Sequence, residues 1–104
     1  LLREWTLFLD RFPVVLMPAS GELPFRDNSD SESFEGFERI MAAQLPQVGL
    51  PLLSLPGLTV STSLVGTVPV GVQLVGPRYR EDVLLAAGEA IEAGGTPPAP
   101  IDPA

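Results

Sequence analysis

The side chains able to do covalent or acid–base chemistry in this 104-residue chain are few in kind. They are thirteen carboxylates, six guanidinium groups, the phenol of Tyr79 and hydroxyls such as Ser20 and the run Ser61-Thr62-Ser63. All six basic residues are arginine, and the chain has no Lys, no His and no Cys. A serine attacks only when a neighbouring base takes its proton, and His and Lys are the side chains that usually do so. Ser20 and Ser61-Thr62-Ser63 therefore read as turn and strand-edge residues rather than nucleophiles. Without Cys there are no thiolate nucleophiles, disulfides or thiolate zinc sites. Among the acids, Asp27, Asp30 and Glu32 could offer oxygens to Ca²⁺. Their spacing does not match a ~12-residue calcium loop with a central Gly and a closing Glu, so they read as a solvated acidic loop. Nothing in the spacing of the carboxylates selects a facing pair of the kind glycoside hydrolysis needs. Arg78, Arg80, Glu81 and Asp82 gather where a strand gives way to a helix. A helix start can hold an anion, but the two acids would repel one, which leaves capping and surface ion pairs. No metal or cofactor is expected.

The charge balance narrows the partners. A net charge of −7 disfavours nucleic acid and anionic membrane surfaces. No apolar run approaches the ~18–20 residues of a membrane-spanning helix, and no signal-peptide pattern is visible; the expectation is a cytoplasmic protein. Charged residues make up only 18% of the chain, below the ~25% usual in soluble proteins, while 45% are hydrophobic. A chain this short buries only ~60–70% of its unfolded surface. Some apolar surface is therefore expected to serve as an interface.

The elements that must position these residues follow from periodicity. Leu1, Trp5, Phe8, Leu9 and Phe12 recur at helical spacing, and Pro13 ends the segment. Val14-Val15-Leu16-Met17 is apolar on both faces, the pattern of a strand inside a sheet. A polar loop follows, from Ala19 to Asp30. Ser29 to Glu32 matches a capping box and Ser33 offers a second N-cap. The helix beyond them carries Phe34, Phe37, Ile40 and Met41 on one face, to about Ala43. Pro46, Gly49 and Pro51 predict an irregular stretch. Leu58–Thr62 and Val70–Val75 read as strands, with Gly66 at the turn between them. A last helix over about 80–93 buries Val83, Leu84, Ala87 and Ile91, and Gly94-Gly95 stops it. Residues 1–95 are thus the folded part, of α/β class, and 96–104 a Pro-rich extended tail.

One stretch carries more than local structure. Residues 69–92, from Pro69-Val70-Gly71-Val72-Gln73-Leu74-Val75-Gly76-Pro77 through Arg80-Glu81-Asp82 to Glu92, read as a strand, a Gly-Pro turn and a helix opening on charged residues. This resembles the C-terminal block of the amidase signature family, serine hydrolases that cleave carboxamides. Leu55-Pro56-Gly57-Leu58-Thr59-Val60 is similar to the family's preceding strand, Arg11 to Ala19 to an earlier strand that ends in a proline, and Pro100-Ile101-Asp102-Pro103 to the end of many bacterial members. The family usually places an Asn and a Gly where this chain has Pro51 and Ser54, a Pro and a Gly at Ser61 and Ser63, and an Asp-Gly turn at Gly66-Thr67. A serine in place of glycine is costly wherever the backbone needs a positive φ.

The resemblance implies part of a larger fold: a few strands of a mixed sheet with covering helices. The family's Ser-Ser-Lys triad and Gly/Ser-rich oxyanion loop lie N-terminal to the matching segment, and a chain without lysine cannot hold that triad. The implied function is the C-terminal part of an amidase-type hydrolase, converting carboxamide to carboxylate and ammonia, and inactive alone. Its partners would be the missing N-terminal amidase region and, in the full enzyme only, a small amide. Pro18, Ala19 and Ser20 follow a strand end, where ligands of open α/β sheets tend to lie, and are candidates for one wall of the substrate pocket. The alternative is a non-catalytic binding or scaffold module that covers its apolar face as a homodimer, through the first helix and the 14–17 strand.

Overall fold

The computed structural model describes residues 1–95. The predicted tail 96–104 lies outside the described residues. In chain order the elements are α1 (Leu2–Arg11), β1 (Val15–Pro18), α2 (Ser29–Glu32), α3 (Phe34–Ala43), α4 (Leu45–Leu52), β2 (Gly57–Val65), β3 (Val68–Val75) and α5 (Glu81–Glu92). The α/β class is as expected. The three strands form one antiparallel sheet in the order β1-β3-β2.

The hairpin β2–β3 turns through Gly66-Thr67, with Val65 opposite Val68 and Gly66 at φ +64°. A two-residue hairpin favours glycine at its first central position, where a side chain would be strained. A register shift between Ser61 and Ser63 marks a bulge in β2. There the chain gains one residue on β2 relative to β3, and the strand bends.

Strand alternation divides the core in two. Val60, Leu74 and Leu84 pack together with Leu58, Val72, Ala87 and Ile91, which seats α5 on one face. On the other face Leu9 of α1, Leu50 of α4, Leu55 and Val75 form a second cluster, joined by Trp5, Val15, Met17 and Leu53. The result is three layers, α5 over the sheet over α1 and α4.

Three local readings need correction. Residues 45–52 are helical despite Pro46 and Pro51. Pro46 stands in the first turn, where a backbone N–H has no helical partner, and Pro51 removes only one bond near the far end. Strand β1 is not inside the sheet. It pairs only with β3, at the edge among the described residues, and Leu16 is 62% exposed. An apolar run on both faces says that both are meant to be covered, but not by what. Finally, Ser29 does not cap: Ser33 does, its Oγ accepting from the Gly36 N–H at 3.0 Å. Ser29 lies within the short α2, which starts after Asn28 in the left-handed region.

Candidate functional site

An open cleft of about 570 Å³ lies on the sheet face that carries the second cluster, at the end away from α1. Three parts of the chain build it: the segment after β1, the α3–α4 junction and the β2–β3 strands. Ala19 and Ser20 line it from the first, Gln44 and Gln47 from the second, Thr59 and Gly71 from the third. Two of the three residues expected at a pocket wall are therefore brought together there. Pro18 is not. It registers with Val72, one residue out of phase with Met17, so alternation turns it toward the α5 face.

Hydrogen bonds from α3 and α4 fix the segment after β1. The Gln47 Nε2 donates to the Ala19 carbonyl at 2.7 Å, and the Gly21 N–H to the Ala43 carbonyl at 2.8 Å. The Ser20 Oγ accepts from Gln44 Nε2 at 3.0 Å and from the Glu22 N–H at 3.3 Å, and itself donates to the Ala43 carbonyl at 3.4 Å. Its hydrogen and both lone pairs are committed, so the hydroxyl works as a clasp. That agrees with the turn role expected of it.

The outer lip is held by charge. Arg39 of α3 grips Glu22 in a bidentate pair, Nε to Oε1 at 3.1 Å and Nη2 to Oε2 at 2.8 Å. Hydrogen bonding from Arg39 holds the Glu22 carboxyl below its ordinary range, and the same contact raises the guanidinium. Glu22 is the only charged group lining the cleft among the described residues, and Arg39 neutralises it. Its other lining groups are amides, hydroxyls and apolar side chains such as Leu23, Phe25 and Val70. Such a surface suits a neutral ligand that combines an apolar body with a hydrogen-bonding end.

The floor is set by close backbone approach. A Cβ on Gly71 would stand 2.3 Å from the Val60 carbonyl oxygen, so only glycine fits there. Deeper on the same face, Gln73 is the buried polar side chain of the sheet, between Met17 and Thr59, and its Oε1 has no partner. Gln44, Gln47, Thr59 and Gly71 were not anticipated as lining residues. The pair Gln44 and Gln47, three apart in a stretch rich in proline, is the one local signal that could have pointed to them.

Of the other sequence candidates, Ser61 lines the cleft beside Thr59 and the rest go elsewhere. Arg80 precedes the first turn of α5 and bonds Asp82, Nε to Oδ1 at 3.0 Å; the contact lowers the Asp82 pKa and raises that of Arg80. Arg78 lies over the Tyr79 ring, 5.6 Å from its centroid. These are the surface contacts expected there, but the expected capping is not seen: α5 starts without a side-chain cap hydrogen bond. Ser61 and Ser63 flank the bulge of β2. Asp27, Asp30 and Glu32 come together in no group of three metal-ligating side chains among the described residues. No helix among these residues is long and apolar enough to cross a membrane.

No protein-family model matches the chain. Curated relatives do. The chain is 36% identical over 92 residues to an indoleacetamide hydrolase of Bradyrhizobium japonicum, an alignment covering 88% of this chain and 20% of that protein. A second indoleacetamide hydrolase, from Bradyrhizobium diazoefficiens, is also 36% identical over 92 residues, 18% of its length. A glutamyl-tRNA(Gln) amidotransferase polypeptide of Streptococcus pyogenes is 39% identical over 51 residues, 49% of this chain and 10% of that protein. The chain spans about one-fifth or less of the relatives it matches. The resemblance read from residues 55–93 thus holds: the chain is homologous to a short segment of amidase signature family proteins.

Proposed function

We propose that this chain is the C-terminal, non-catalytic part of an amidase-type hydrolase and supplies one wall of its carboxamide site. The observation that carries the reading is the match along 88% of the chain to proteins named indoleacetamide hydrolase, in a chain without Lys, His or Cys. The cleft supports it. Ala19 and Ser20 are pinned at its wall by Gln47 and Gln44, and its lining is neutral once Arg39 has paired Glu22. In the whole protein the catalytic residues would come from outside this segment, and the cleft would hold the acyl part of the amide against Ala19, Ser20, Thr59 and Phe25. A cytoplasmic location belongs to the same reading.

The test pairs two measurements. Ammonia release from indole-3-acetamide is assayed on the chain alone, where none is expected; release that co-elutes with the protein would refute the non-catalytic assignment. Indole-3-acetamide is then titrated into the chain joined to the unmatched part of the Bradyrhizobium japonicum hydrolase, and amide NMR shifts are followed. Shifts at Ala19, Ser20, Thr59 and Gly71 are expected, and binding that leaves these amides unmoved would refute the wall.

A second reading has an observation of its own. Leu1, Leu7, Phe8 and Phe12 of the α1 region and Leu16 of β1 are all exposed. A self-associating scaffold would bury these residues at a two-fold interface. Light scattering on a sizing column decides: a monomer that persists at high concentration excludes it.

A further inference from the structure

A second cavity lies beside the cleft, and one piece of chain stands between the two. Residues 22–25 line the cleft of about 570 Å³ and also a cavity of about 530 Å³ on the α3 side, walled by Gly36, Arg39 and Ile40. The segment belongs to no helix or strand, and its apolar side chains, Leu23 and Phe25, join neither core cluster. They are 50% and 47% exposed. A side chain with space on both sides forfeits the contacts that would fix it by packing.

Hydrogen bonds do not replace that packing. Before the segment, the Gly21 N–H bonds the Ala43 carbonyl; after it, the Arg26 carbonyl accepts from the Ser29 N–H. Among the described residues no hydrogen bond reaches Leu23, Pro24 or Phe25. The tie from this segment to a regular element is the bidentate pair of Glu22 with Arg39. Arg39 stands on a firm base, because α3 is capped by Ser33 and buries Ala43. Two parallel bonds from a guanidinium fix the direction of a carboxylate as well as its distance. Exposed backbone with few buried contacts is where a fold opens first, so one such tie decides where the segment sits.

We propose that Arg39 is a positioning residue for the cleft: its grip on Glu22 latches residues 22–26 as a movable strap, and so sets where Leu23 and Phe25 stand as the apolar lip. The bearing of this lip on an amide rests on the reading of the cleft as one wall of a carboxamide site; the latch itself does not. With the pair made, the lip is in place before a ligand arrives. With the pair broken, the ligand must order the strap, and affinity falls by the fraction of molecules whose strap is out of place.

The first test uses the chain alone. It has no cysteine, so Leu23→Cys puts a single nitroxide spin label on the strap, and the line shape separates held from mobile label. Arg39→Met and Glu22→Gln should each raise the ratio of mobile to held label about two- to fivefold, the scale of one exposed ion pair. Exchanging the charges, Glu22→Arg with Arg39→Glu, should bring the ratio back. Arg39→Lys should restore only part of it, since an ammonium lacks the planar fork. Far-UV circular dichroism checks the fold of each variant. In the joined protein of the cleft test, Arg39→Met should weaken indole-3-acetamide binding by about the same two- to fivefold factor. Indole-3-acetamide that binds with the Ala19 and Ser20 amides unmoved counts against the wall and leaves the spin-label result standing. The latch is overturned if the single variants leave the line shape unchanged or if the charge exchange fails to restore it. The positioning role is overturned if the strap loosens in Arg39→Met while affinity at the cleft stays the same.

Discussion

Replacing Ser54 with glycine should stabilise the protein, and the structure supplies both sides of the sum. Ser54 closes α4 at φ +52°, in the left-handed region, with its N–H bonded to the Pro51 carbonyl at 3.1 Å. A side chain costs roughly 1–2 kcal/mol there, because Cβ crowds the following carbonyl. Glycine removes that cost but loses about 0.5–1 kcal/mol more chain entropy on folding. The net gain is about 0.5–1 kcal/mol. At ~4–8 °C per kcal/mol for a domain of this size, the melting temperature should rise by about 2–8 °C. Ser54 is exposed, and its side chain makes no contact whose loss offsets the gain. The aligned family position is one where the resemblance places glycine, which fits the same cause. Urea denaturation should show a higher midpoint at unchanged slope, since neither state changes its exposed area. Ser54→Ala is the control and should gain nothing, because it keeps the Cβ. Equal stability of Ser54→Gly and Ser54→Ala, or a loss in Ser54→Gly, would refute strain at this position.

Three further outcomes follow from the same geometry. Gly71→Ala should cost about 1–3 kcal/mol in chemical denaturation, because a Cβ 2.3 Å from the Val60 carbonyl forces the β2–β3 ladder apart. Gln73→Met keeps the shape and removes an unpartnered oxygen, so it should raise stability by about 1 kcal/mol; a loss of similar size would show that the carboxamide is satisfied in solution. The Glu22 carboxyl should titrate below its ordinary value by ¹³C NMR, and return to it in Arg39→Met. Because its folded pKa is depressed, its contribution to stability is present above the unfolded value of 4.5 and is lost as pH falls through the folded one. The pair is exposed, so salt should weaken this coupling.

The amino-acid composition alone decided what chemistry is missing: no His, Lys or Cys stands ready to activate Ser20 or Ser61. Periodicity alone placed α1, α3, the β2–β3 hairpin and α5, because their apolar spacing repeats within a few residues and the stops are local. The aligned Gly-to-Ser change at position 54 even flagged a strained residue before any backbone was seen. The remainder was beyond local signals. Proline content argued against α4, yet both prolines fall in the end turns, where packing of Leu50 against Leu9 and Val75 outweighs one lost hydrogen bond. The apolar run of β1 announced burial, but which strand stands beside it depends on the order β1-β3-β2, set by pairings some 60 residues apart. The cleft is the clearest case. Ala19, Gln47, Thr59 and Gly71 meet only because helix, loop and hairpin pack on one sheet face, while Pro18, next in sequence to Ala19, is turned away by strand alternation. Residue type is a property of one position and period a property of one segment. A wall is a property of register between segments, and only the tertiary structure fixes that.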